Sequence, residues 1–353
     1  MRYFVIHETP RDVLLKYNLP PAAYNFCYNL MKTGIFDKVY SILPTNVYNY
    51  TEDLNREGME IVYSNIRGKN KISRIIGSLV EQTKLFRLIK NNSNVWLYNI
   101  TIANAFLFIL LRIFKPKVKL YTIVLDFTPE DKINKLMLPL INHSVGLIKL
   151  SESELFTVEN SICLPGIVQS DENYTKVEKI TKDFLISGNI KEQISMISML
   201  LPVFSELPEL TLHISGHAQK PSMIRRYANN YSNIKFHGMV EYNEFLKIMD
   251  ECTFLLSTRD PNEPRNLCNF PSKIMEGLLH NKIIISTIHY PQLEGIKYFV
   301  VSSDNDNFSK ALQEIANIPT DKLLEYANQS EIVKERFNSS VWMQEMIKIE
   351  NYR

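Results

Sequence analysis

Residues 253–286 constrain the fold more than any other part of the chain, because they have the pattern of two strands joined by a helix. Residues 253–257 (TFLLS) and 282–286 (KIIIS) are short apolar runs of the kind that form buried strands. The stretch between them carries apolar residues at helical spacing. Two strands joined by a helical crossover run parallel, and parallel sheets are covered by helices on both faces. The segment therefore predicts an α/β fold.

The predicted crossover helix begins with side chains that can hold an anion. Pro271 suits the first turn, where a missing N–H does no harm, and Asn269 is placed to cap the helix. Ser272 and Lys273 add a hydroxyl and an ammonium group beside the unpaired N–H groups of that turn. A helix start of this kind binds phosphate or diphosphate. Glu276, one turn later, can accept hydrogen bonds from sugar or ribose hydroxyls.

Residues 269–278 (NFPSKIMEGL) together favour an anion-binding site. Each of them alone also suits an ordinary helix start. Together with the IIIS run that follows, the string resembles the donor-binding segment of the glycosyl transferases group 1 family. That resemblance implies a retaining nucleotide-sugar enzyme of GT-B architecture, in which two Rossmann-like, doubly wound parallel-sheet domains face each other across a cleft. Members with the fuller signature carry a Glu eight residues before the one that matches Glu276, and this chain has Cys268 there. The sugar contact of that earlier Glu is therefore not carried over.

The chain length fits two domains. A length of 353 residues is long for one core, and a polar, charged stretch at 168–182 separates two series of alternating strand and helix patterns. We expect a first, acceptor-side Rossmann-like domain at 1–167 and a second, nucleotide-sugar-binding Rossmann-like domain at 183–337. The resemblance further implies that the last helix, at 338–353, crosses back onto the first domain.

One acidic residue of the first domain is a candidate catalytic group. Residues 119–125 (KLYTIVL) form a strong predicted strand that delivers Asp126 to the loop at its carboxyl end, where open α/β sheets bind ligands. Asp126 can hold the attacking hydroxyl or act as its base. It can equally cap the helix predicted at 129–142. The resemblance places Asp126 at the second position of a His-Asp pair whose first position is Leu125 in this chain.

The resemblance implies that further turns of the second domain contact the donor. The turn at Gly188 and Asn189, before a helix predicted at 190–204, stands where the family has G-R-L, and Lys191 can replace the missing guanidinium. Gly216 and His217 match a second glycine turn, and residues 238–240 match the segment whose backbone contacts the base. The predicted donor set is Gly188, Asn189, Lys191, Gly216, His217, Gly238, Met239, Val240, Arg259, Asn269, Pro271, Ser272, Lys273 and Glu276. The predicted catalytic set is Asp126, Lys273 and Glu276.

The distribution of charge suggests a surface partner for the first domain. From Arg67 to Lys119, eleven basic residues accompany a single acid, Glu81, which creates a local field that attracts anionic lipid or an anionic acceptor. Two predicted helices, at 72–90 and 100–114, lie in this stretch, and the second is too short to span a membrane. The alternatives are an ordinary amphipathic helix with a solvated basic face and a buried packing helix. An anionic membrane surface is therefore one expected partner.

The cysteines and the N-terminus indicate the compartment. The four cysteines show no CxxC pair and no regular spacing, which fits a reducing environment and neither a zinc site nor a disulfide framework. The first residues (MRYFVIHETPRD) run straight into a strand-like pattern without a signal peptide. We expect a cytoplasmic protein, with peripheral attachment to the inner membrane leaflet through the basic stretch.

Together with these patterns, the resemblance implies a metal-independent glycosyltransferase of the hexosyltransferase type. It would move a sugar from a nucleoside diphosphate sugar to a glycan or lipid-linked acceptor, in surface polysaccharide biosynthesis, with no cofactor and no nucleic-acid partner. The string Asp304-Asn305-Asp306 resembles a metal-binding motif, but its place before a predicted helix favours a cap. A sugar-nucleotide epimerase of the same architecture and a non-catalytic nucleotide-sugar or glycan-binding protein are the alternatives.

Overall fold

The computed structural model describes residues 1–16, 22–125, 127–169 and 174–352. The contacts divide the chain into two compact units. Unit 1 contains residues 1–169 together with the C-terminal residues from Phe337 onward, and unit 2 contains residues 170–336. Both units are α/β, each with its own sheet.

Unit 1 is built on an eight-stranded sheet in the order β3-β4-β2-β1-β5-β6-β7-β8. Neighbouring strands are parallel except for the short β3–β4 pair, which is antiparallel. The strands are β1 (Arg2–Ile6), β2 (Lys38–Ile42), β3 (Asn55–Arg56), β4 (Met59–Val62), β5 (Asn94–Tyr98), β6 (Lys119–Val124), β7 (Gly146–Lys149) and β8 (Ser161–Cys163). Its first five helices are α1 (Arg11–Lys16), α2 (Ala22–Met31), α3 (Lys71–Leu88), α4 (Ala105–Phe114) and α5 (Lys132–Asn142).

Unit 2 is built on a six-stranded, wholly parallel sheet in the order β11-β10-β9-β12-β13-β14. Its strands are β9 (Asp183–Ile190), β10 (Thr211–Ala218), β11 (Ile234–Gly238), β12 (Phe254–Ser257), β13 (Ile283–Ser286) and β14 (Phe299–Val300). Its helices are α6 (Glu192–Ser195), α7 (Ile197–Ser205), α8 (Pro221–Asn230), α9 (Tyr242–Glu251), α10 (Pro264–Cys268), α11 (Ser272–Leu279), α12 (Asn305–Ala316), α13 (Thr320–Leu323) and α14 (Ser330–Phe337). The predicted crossover is therefore present as β12, α10, α11 and β13, with β12 and β13 parallel.

The last helix, α15 (Ser339–Asn351), packs into the core of unit 1. Trp342 and Met346, one turn apart, are completely buried there, and Trp342 Nε1 donates to the carbonyl oxygen of Gly166 at 2.7 Å. Near the other end of α15, the buried carboxylate of Glu350 accepts a hydrogen bond from Trp96 Nε1 at 2.9 Å and pairs with Arg2 at 2.7 Å. The helix is thus held to unit 1 by apolar burial and by directed polar contacts.

The helix predicted at 190–204 is wrong in its details. Strand β9 continues to Ile190, because it stays in parallel register with β10 as far as the pair Ile190 and Ala218. Two helices follow instead of one, and they are separated by Met196, whose backbone is left-handed with φ of 45°. By contrast, Asp304 caps α12 by accepting a hydrogen bond from the Asn307 N–H at 3.1 Å, as its position before a helix predicted.

Part of the basic stretch predicted at the surface is buried. Arg67 is 1% exposed and forms an ion pair with Glu81, which is completely buried. Arg67 Nη1 also donates to the carbonyl oxygens of Leu43 and Pro44. The Arg67 guanidinium therefore links α3 to the end of β2. It does not contribute to the positive charge at the surface. Because Glu81 is buried as well, the stretch still presents basic charge without an acid at the surface.

Helix α3 has the reverse of the usual amphipathic arrangement. Its buried residues are mostly polar or small: Gly77, Ser78, Glu81, Gln82 and Leu85. The exposed face carries Ile72, Ile75, Ile76 and Leu79, which are between 40% and 71% exposed. Helix α4, whose Leu107 N–H bonds to Gln82, exposes Ile109, Ile113 and Phe114. No helix among the described residues is long and apolar enough to cross a membrane.

Candidate functional site

Unit 2 contains a cavity of about 410 Å³ at the carboxyl ends of its central strands. This volume lies within the range of roughly 300–1,000 Å³ that is usual for small-molecule sites. The cavity is lined by Gly188, Asn189, Ser215, Gly216, His217, Met239, Val240, Tyr242, Phe245 and Lys273. Seven of these ten residues belong to the donor set predicted from the sequence, so the pattern and the cavity coincide.

Two glycines let the backbone form one wall of the cavity. Gly188 and Gly216 are paired on the neighbouring strands β9 and β10, with φ of 99° and 132°. A Cβ atom on Gly216 would lie 1.9 Å from the carbonyl oxygen of Gly188, so no side chain fits there. A Cβ atom on Gly188 would lie 3.3 Å from Cε of Lys273. The wall therefore leaves peptide groups open to a ligand.

Lys273 supplies a cation to the same wall. Its Nζ lies 2.7 Å from Oε2 of Glu276 and 4.9 Å from the ring centroid of Phe245. The Lys273 side chain is 37% exposed, and that of Glu276 is 24% exposed. The carboxylate and the ring hold the ammonium group in one place while it remains accessible from the cavity. Lys273 is thus positioned to meet an anionic ligand group.

The start of α11 differs from the prediction in its cap. The N-cap residue is Pro271, and no side chain caps the helix among the described residues. Asn269 instead closes α10, because its Nδ2 donates to the carbonyl oxygen of Arg265 at 2.9 Å. The short helix α10 was not expected from the sequence, and it occupies the loop in which Asn269 was placed as a cap. The first turn of α11 consequently has amide groups that no Asn269 side chain satisfies.

Arg259 supports this turn from the neighbouring loop. Its Nη1 donates to the carbonyl oxygen of Asn269 at 3.4 Å, and its backbone N–H donates to Thr287 Oγ1 at 2.8 Å. Thr287 Oγ1 in turn donates to the carbonyl oxygen of Arg259. Arg259 therefore braces the loops that follow β12 and β13 and does not line the cavity.

The opposite wall of the cavity is apolar. Met239 and Val240 follow β11, and Tyr242 and Phe245 lie on the first turn of α9. Met239 and Tyr242 are 76% and 61% exposed, so both side chains are accessible to a ligand. The sequence prediction missed Tyr242, Phe245 and Ser215. The spacing of three between Tyr242 and Phe245 was the available signal, but it also fits an ordinary amphipathic helix.

Some predicted residues lie outside the cavity lining. Lys191 is exposed at the N-cap position before α6, and Gly238 ends β11. Ser272 is exposed at the start of α11, next to the buried Pro271. Asp126 lies outside the described residues, so its role stays a prediction from the sequence.

The cavity can hold a ligand that is anionic at one end and flat and apolar at the other. Lys273, the open glycine backbone and the start of α11 suit a phosphate or diphosphate group. Ser187 Oγ, beside Gly188, is buried without a hydrogen-bond partner among the described residues, which marks a further polar contact for a ligand. The wall of Met239, Val240 and Tyr242 suits a planar ring.

The fold is that of the GT-B glycosyltransferases, with a mainly parallel sheet in each of two units. Similar solved structures include Anabaena HepE in complex with UDP and glucose, with a TM-score of 0.66, 14% identity and coverage of 99% of both chains. Another is the UDP-forming α,α-trehalose-phosphate synthase of Burkholderia xenovorans in complex with glucose-6-phosphate. It has a TM-score of 0.67 and 10% identity, and the match covers 99% of this chain and 100% of that chain.

A third similar structure, the E. coli trehalose-6-phosphate protein bound to UDP-2-fluoro glucose, has a TM-score of 0.67 and 10% identity over the whole of both chains. No family model and no curated protein matches the sequence. The predicted fold class is therefore confirmed by solved structures that share few residues with this chain.

Proposed function

We propose that this chain is a glycosyltransferase that moves a sugar from a nucleoside diphosphate sugar to a glycan or lipid-linked acceptor. The observation that carries the proposal is the cavity of unit 2, which joins Lys273 and the open backbone of Gly188 and Gly216 to an apolar wall. A nucleoside diphosphate has the matching pair of features, a charged diphosphate and a planar base. UDP is the nucleotide we expect, since HepE was solved with UDP and the E. coli protein with a UDP-sugar analogue.

In the proposed reaction the protein stabilises the departing diphosphate. Negative charge develops on the leaving group in the transition state, and fixed donors that meet it lower the barrier. Lys273 and the first-turn amides of α11 are such donors, and they need no metal ion. Glu276, beside Lys273, would bind sugar or ribose hydroxyls. Asp126 keeps its proposed role at the acceptor hydroxyl, and retention of the anomeric configuration is part of the proposal because of the sequence resemblance.

A thermal-shift comparison of UDP, GDP, CMP and ADP tests the nucleotide assignment. A ligand that binds only the folded state raises the melting temperature. The nucleotide that gives the largest increase is therefore the one that binds most tightly at equal concentration. We expect UDP to give the largest shift. The proposal fails if none of the four nucleotides stabilises the protein at millimolar concentration.

Turnover separates the transferase from its two alternatives. Purified protein incubated with a panel of UDP-sugars should release UDP slowly without an acceptor and faster with one. An epimerised donor would identify an isomerase. Binding without turnover would identify a non-catalytic binding protein, an alternative favoured by the buried Cys268 at the position of the family's first Glu. The anomeric configuration of the product, measured by NMR, tests retention.

We also propose that unit 1 attaches to the surface of an anionic bilayer, which would place the enzyme on the inner leaflet for surface polysaccharide synthesis. Large exposed apolar faces on a folded domain mark interaction sites. The face of α3 and α4 contains Ile72, Ile75, Ile76, Leu79, Ile109, Ile113 and Phe114. Basic residues surround it in sequence, and the one acid of the stretch, Glu81, is buried. An anionic bilayer complements both the apolar side chains and the charge.

Vesicle co-sedimentation tests this attachment. The protein should bind vesicles of phosphatidylglycerol and phosphatidylcholine at low salt, and binding should weaken as salt screens the basic residues. The double variant Ile75→Glu, Ile76→Glu should lose binding, and Ile332→Glu, at a similarly exposed isoleucine of unit 2, should keep it. Equal binding of both variants would contradict the attachment.

A further inference from the structure

Three polar side chains form a hydrogen-bonded line across strands β9, β10 and β11 of unit 2. His213 Nε2 lies 3.2 Å from Oδ1 of Asp183, and His213 Nδ1 lies 3.2 Å from Nε2 of His237. His213 is 1% exposed, and its neighbours on β10, Leu212 and Ile214, belong to the apolar core. A buried polar group is costly unless it is hydrogen-bonded, and a complete network of such bonds is rigid. The line therefore fixes side-chain positions in this part of the sheet.

The surroundings of the two histidines determine how hydrogens are arranged along the line. Desolvation by burial lowers the pKa of both His213 and His237, so both imidazoles are neutral at pH 7. The Asp183 carboxylate can only accept, so His213 Nε2 carries a hydrogen and His213 Nδ1 is an acceptor. His237 Nε2–H then donates to His213 Nδ1. The His213 ring thus has a partner at each nitrogen, and it holds the ring of His237.

His237 is the extra residue at a register shift of strand β11. The pairing of β10 with β11 runs from Ile214 and Phe236 directly to Ser215 and Gly238, so the ladder skips His237. A bulge of this kind bends its strand and redirects the chain that follows. The hydrogen bond described above reaches the ring of this skipped residue. The polar line therefore ends on the residue at which β11 is bent.

The residues that follow the bulge form part of the apolar wall of the nucleotide cavity. Gly238 comes directly after His237 with φ of 68°, and Met239 and Val240 come next and line the cavity. Val240 packs against the apolar cluster that contains Phe245 of α9, which anchors the far end of this segment. Met239 is 76% exposed, so its own packing holds it weakly. The position of Met239 therefore depends on the bulge that precedes it.

We infer that His213 and His237 are positioning residues of the cavity, which hold the bulge of β11 so that the wall after it faces the planar base of a bound nucleotide. Neither histidine is among the residues that line the cavity, so both act through Met239 and Val240. The inference rests on the proposed function in naming the ligand as a nucleotide. It predicts an effect on the base and little effect on the diphosphate, because Lys273 is supplied by α11.

Isothermal titration calorimetry with UDP and with pyrophosphate tests the inference. His237→Leu removes the hydrogen bond to His213 and should weaken UDP binding about 5-fold, the effect of losing one weak base contact. Pyrophosphate binding should change by less than about 2-fold. His237→Gln places an N–H group near the position of Nε2 and should return UDP affinity to within about 2-fold of the unmodified protein. His289→Leu, at an exposed histidine of unit 2 outside the cavity lining, should keep both affinities.

Hydrogen–deuterium exchange provides a readout that needs no nucleotide. In His237→Leu and His213→Leu, the amides of residues 238–241 should exchange at least about 5-fold faster, because the bulge no longer holds them. The amides of the buried strand β12 should keep their protection, which shows that unit 2 is still folded. His213→Asn keeps an acceptor oxygen near the position of Nδ1, so its exchange at 238–241 should be slower than that of His213→Leu.

The inference is overturned if UDP and pyrophosphate binding weaken equally in His237→Leu, or if His237→Gln binds UDP no better than His237→Leu does. Faster exchange that extends to β12 also overturns it, because the histidines would then stabilise the whole sheet. If the unmodified protein does not bind UDP, the proposed function fails. In that case, faster exchange confined to residues 238–241 still supports the positioning role, and unchanged exchange there contradicts it.

Discussion

Strands β1 and β9 occupy equivalent places in the two sheets but end in opposite ways. Each is the first strand of its unit and is paired on both sides with parallel neighbours. At the end of β9, Gly188 and the adjacent Gly216 remove side chains and leave the backbone open. After β1, the chain instead places the buried side chains of Glu8 and Thr9. One sheet offers peptide groups beside a lysine, and the other offers a buried carboxyl group and a buried hydroxyl group.

The difference corresponds to two kinds of ligand chemistry. A diphosphate needs several N–H donors and a cation close together, which glycine turns and a helix start provide. Sugar hydroxyls need individually placed acceptors and donors, which side chains provide. Each strand end has a buried hydroxyl without a hydrogen-bond partner in the described part of the chain, Ser187 Oγ in unit 2 and Thr9 Oγ1 in unit 1. The comparison therefore sets a backbone-based wall in unit 2 against a strand end in unit 1 that carries buried polar side chains.

The largest expected effect comes from filling the backbone-based wall with a side chain. Gly216→Ala places a Cβ atom 1.9 Å from the Gly188 carbonyl oxygen at a φ of 132°. We expect a loss of stability of about 3 kcal/mol or more and loss of the UDP-induced thermal shift. Gly238→Ala is the matched control, because it also has a positive φ but meets no atom within 4 Å. Equal melting temperatures for the two variants would contradict the close approach of β9 and β10.

The next effect tests the charge on that wall. Lys273→Ala removes the ammonium group and leaves Glu276 without its ion-pair partner in the cavity region. We expect UDP to bind roughly 30- to 100-fold more weakly, as for the loss of about 2–3 kcal/mol in a charge-assisted contact. Isothermal titration calorimetry measures the change. Lys191→Ala, at the exposed lysine outside the cavity lining, should change UDP affinity by less than about 3-fold. A larger effect would indicate that the diphosphate binds nearer to α6.

A third prediction concerns the stability cost of burying the Glu8 carboxyl group after β1. Burial raises the pKa of Glu8 from 4.5 to about 7, so the unfolded chain ionises at lower pH than the folded chain does. Stability is therefore lost as pH rises from 4.5 to 7, and the loss is complete above pH 7. Glu8→Gln should stabilise the protein by about 2 kcal/mol at pH 8 and by little at pH 4.5, in urea unfolding measurements. Equal stabilisation at both pH values would contradict a raised pKa of Glu8 in the folded protein.

The sequence predicted most of the fold because strands and turns leave local signals. The apolar runs at 253–257 and 282–286 became β12 and β13, and the glycine positions 188 and 216 came to lie in the cavity. The reversed faces of α3 were not predictable, because its stripe of Ile72, Ile75 and Ile76 has the pattern of a buried face. The arrangement depends on a long-range ion pair between Arg67 and Glu81 and on a contact of Gln82 with α4.

The candidate sites were predictable only where a motif was local. The string from Asn269 to Glu276 identified the region of Lys273, whereas Tyr242 was missed because an aromatic at a helix start has several explanations. His7, Glu8 and Thr9 had no signal in the sequence, since a polar stretch after a strand predicts an exposed loop. Only the three-dimensional structure shows that Glu8 and Thr9 are buried, and that Thr9 Oγ1 and His7 Nδ1 have no hydrogen-bond partner among the described residues. Burial of a polar group against distant strands is a property of the packed sheet and leaves no periodic pattern.

The smallest expected effect separates recognition of the diphosphate from recognition of the base within the nucleotide cavity. Tyr242 lies on the apolar wall and is 61% exposed, so its ring is accessible to a planar base from the cavity side. Tyr242→Ala should weaken UDP binding about 5-fold, close to 1 kcal/mol of stacking, and leave pyrophosphate binding unchanged. Tyr231→Ala, at an exposed tyrosine outside the cavity lining, is the control. Equal losses for UDP and pyrophosphate would mean that Tyr242 acts through the diphosphate wall, and the apolar wall would then have no separate role in recognising the base.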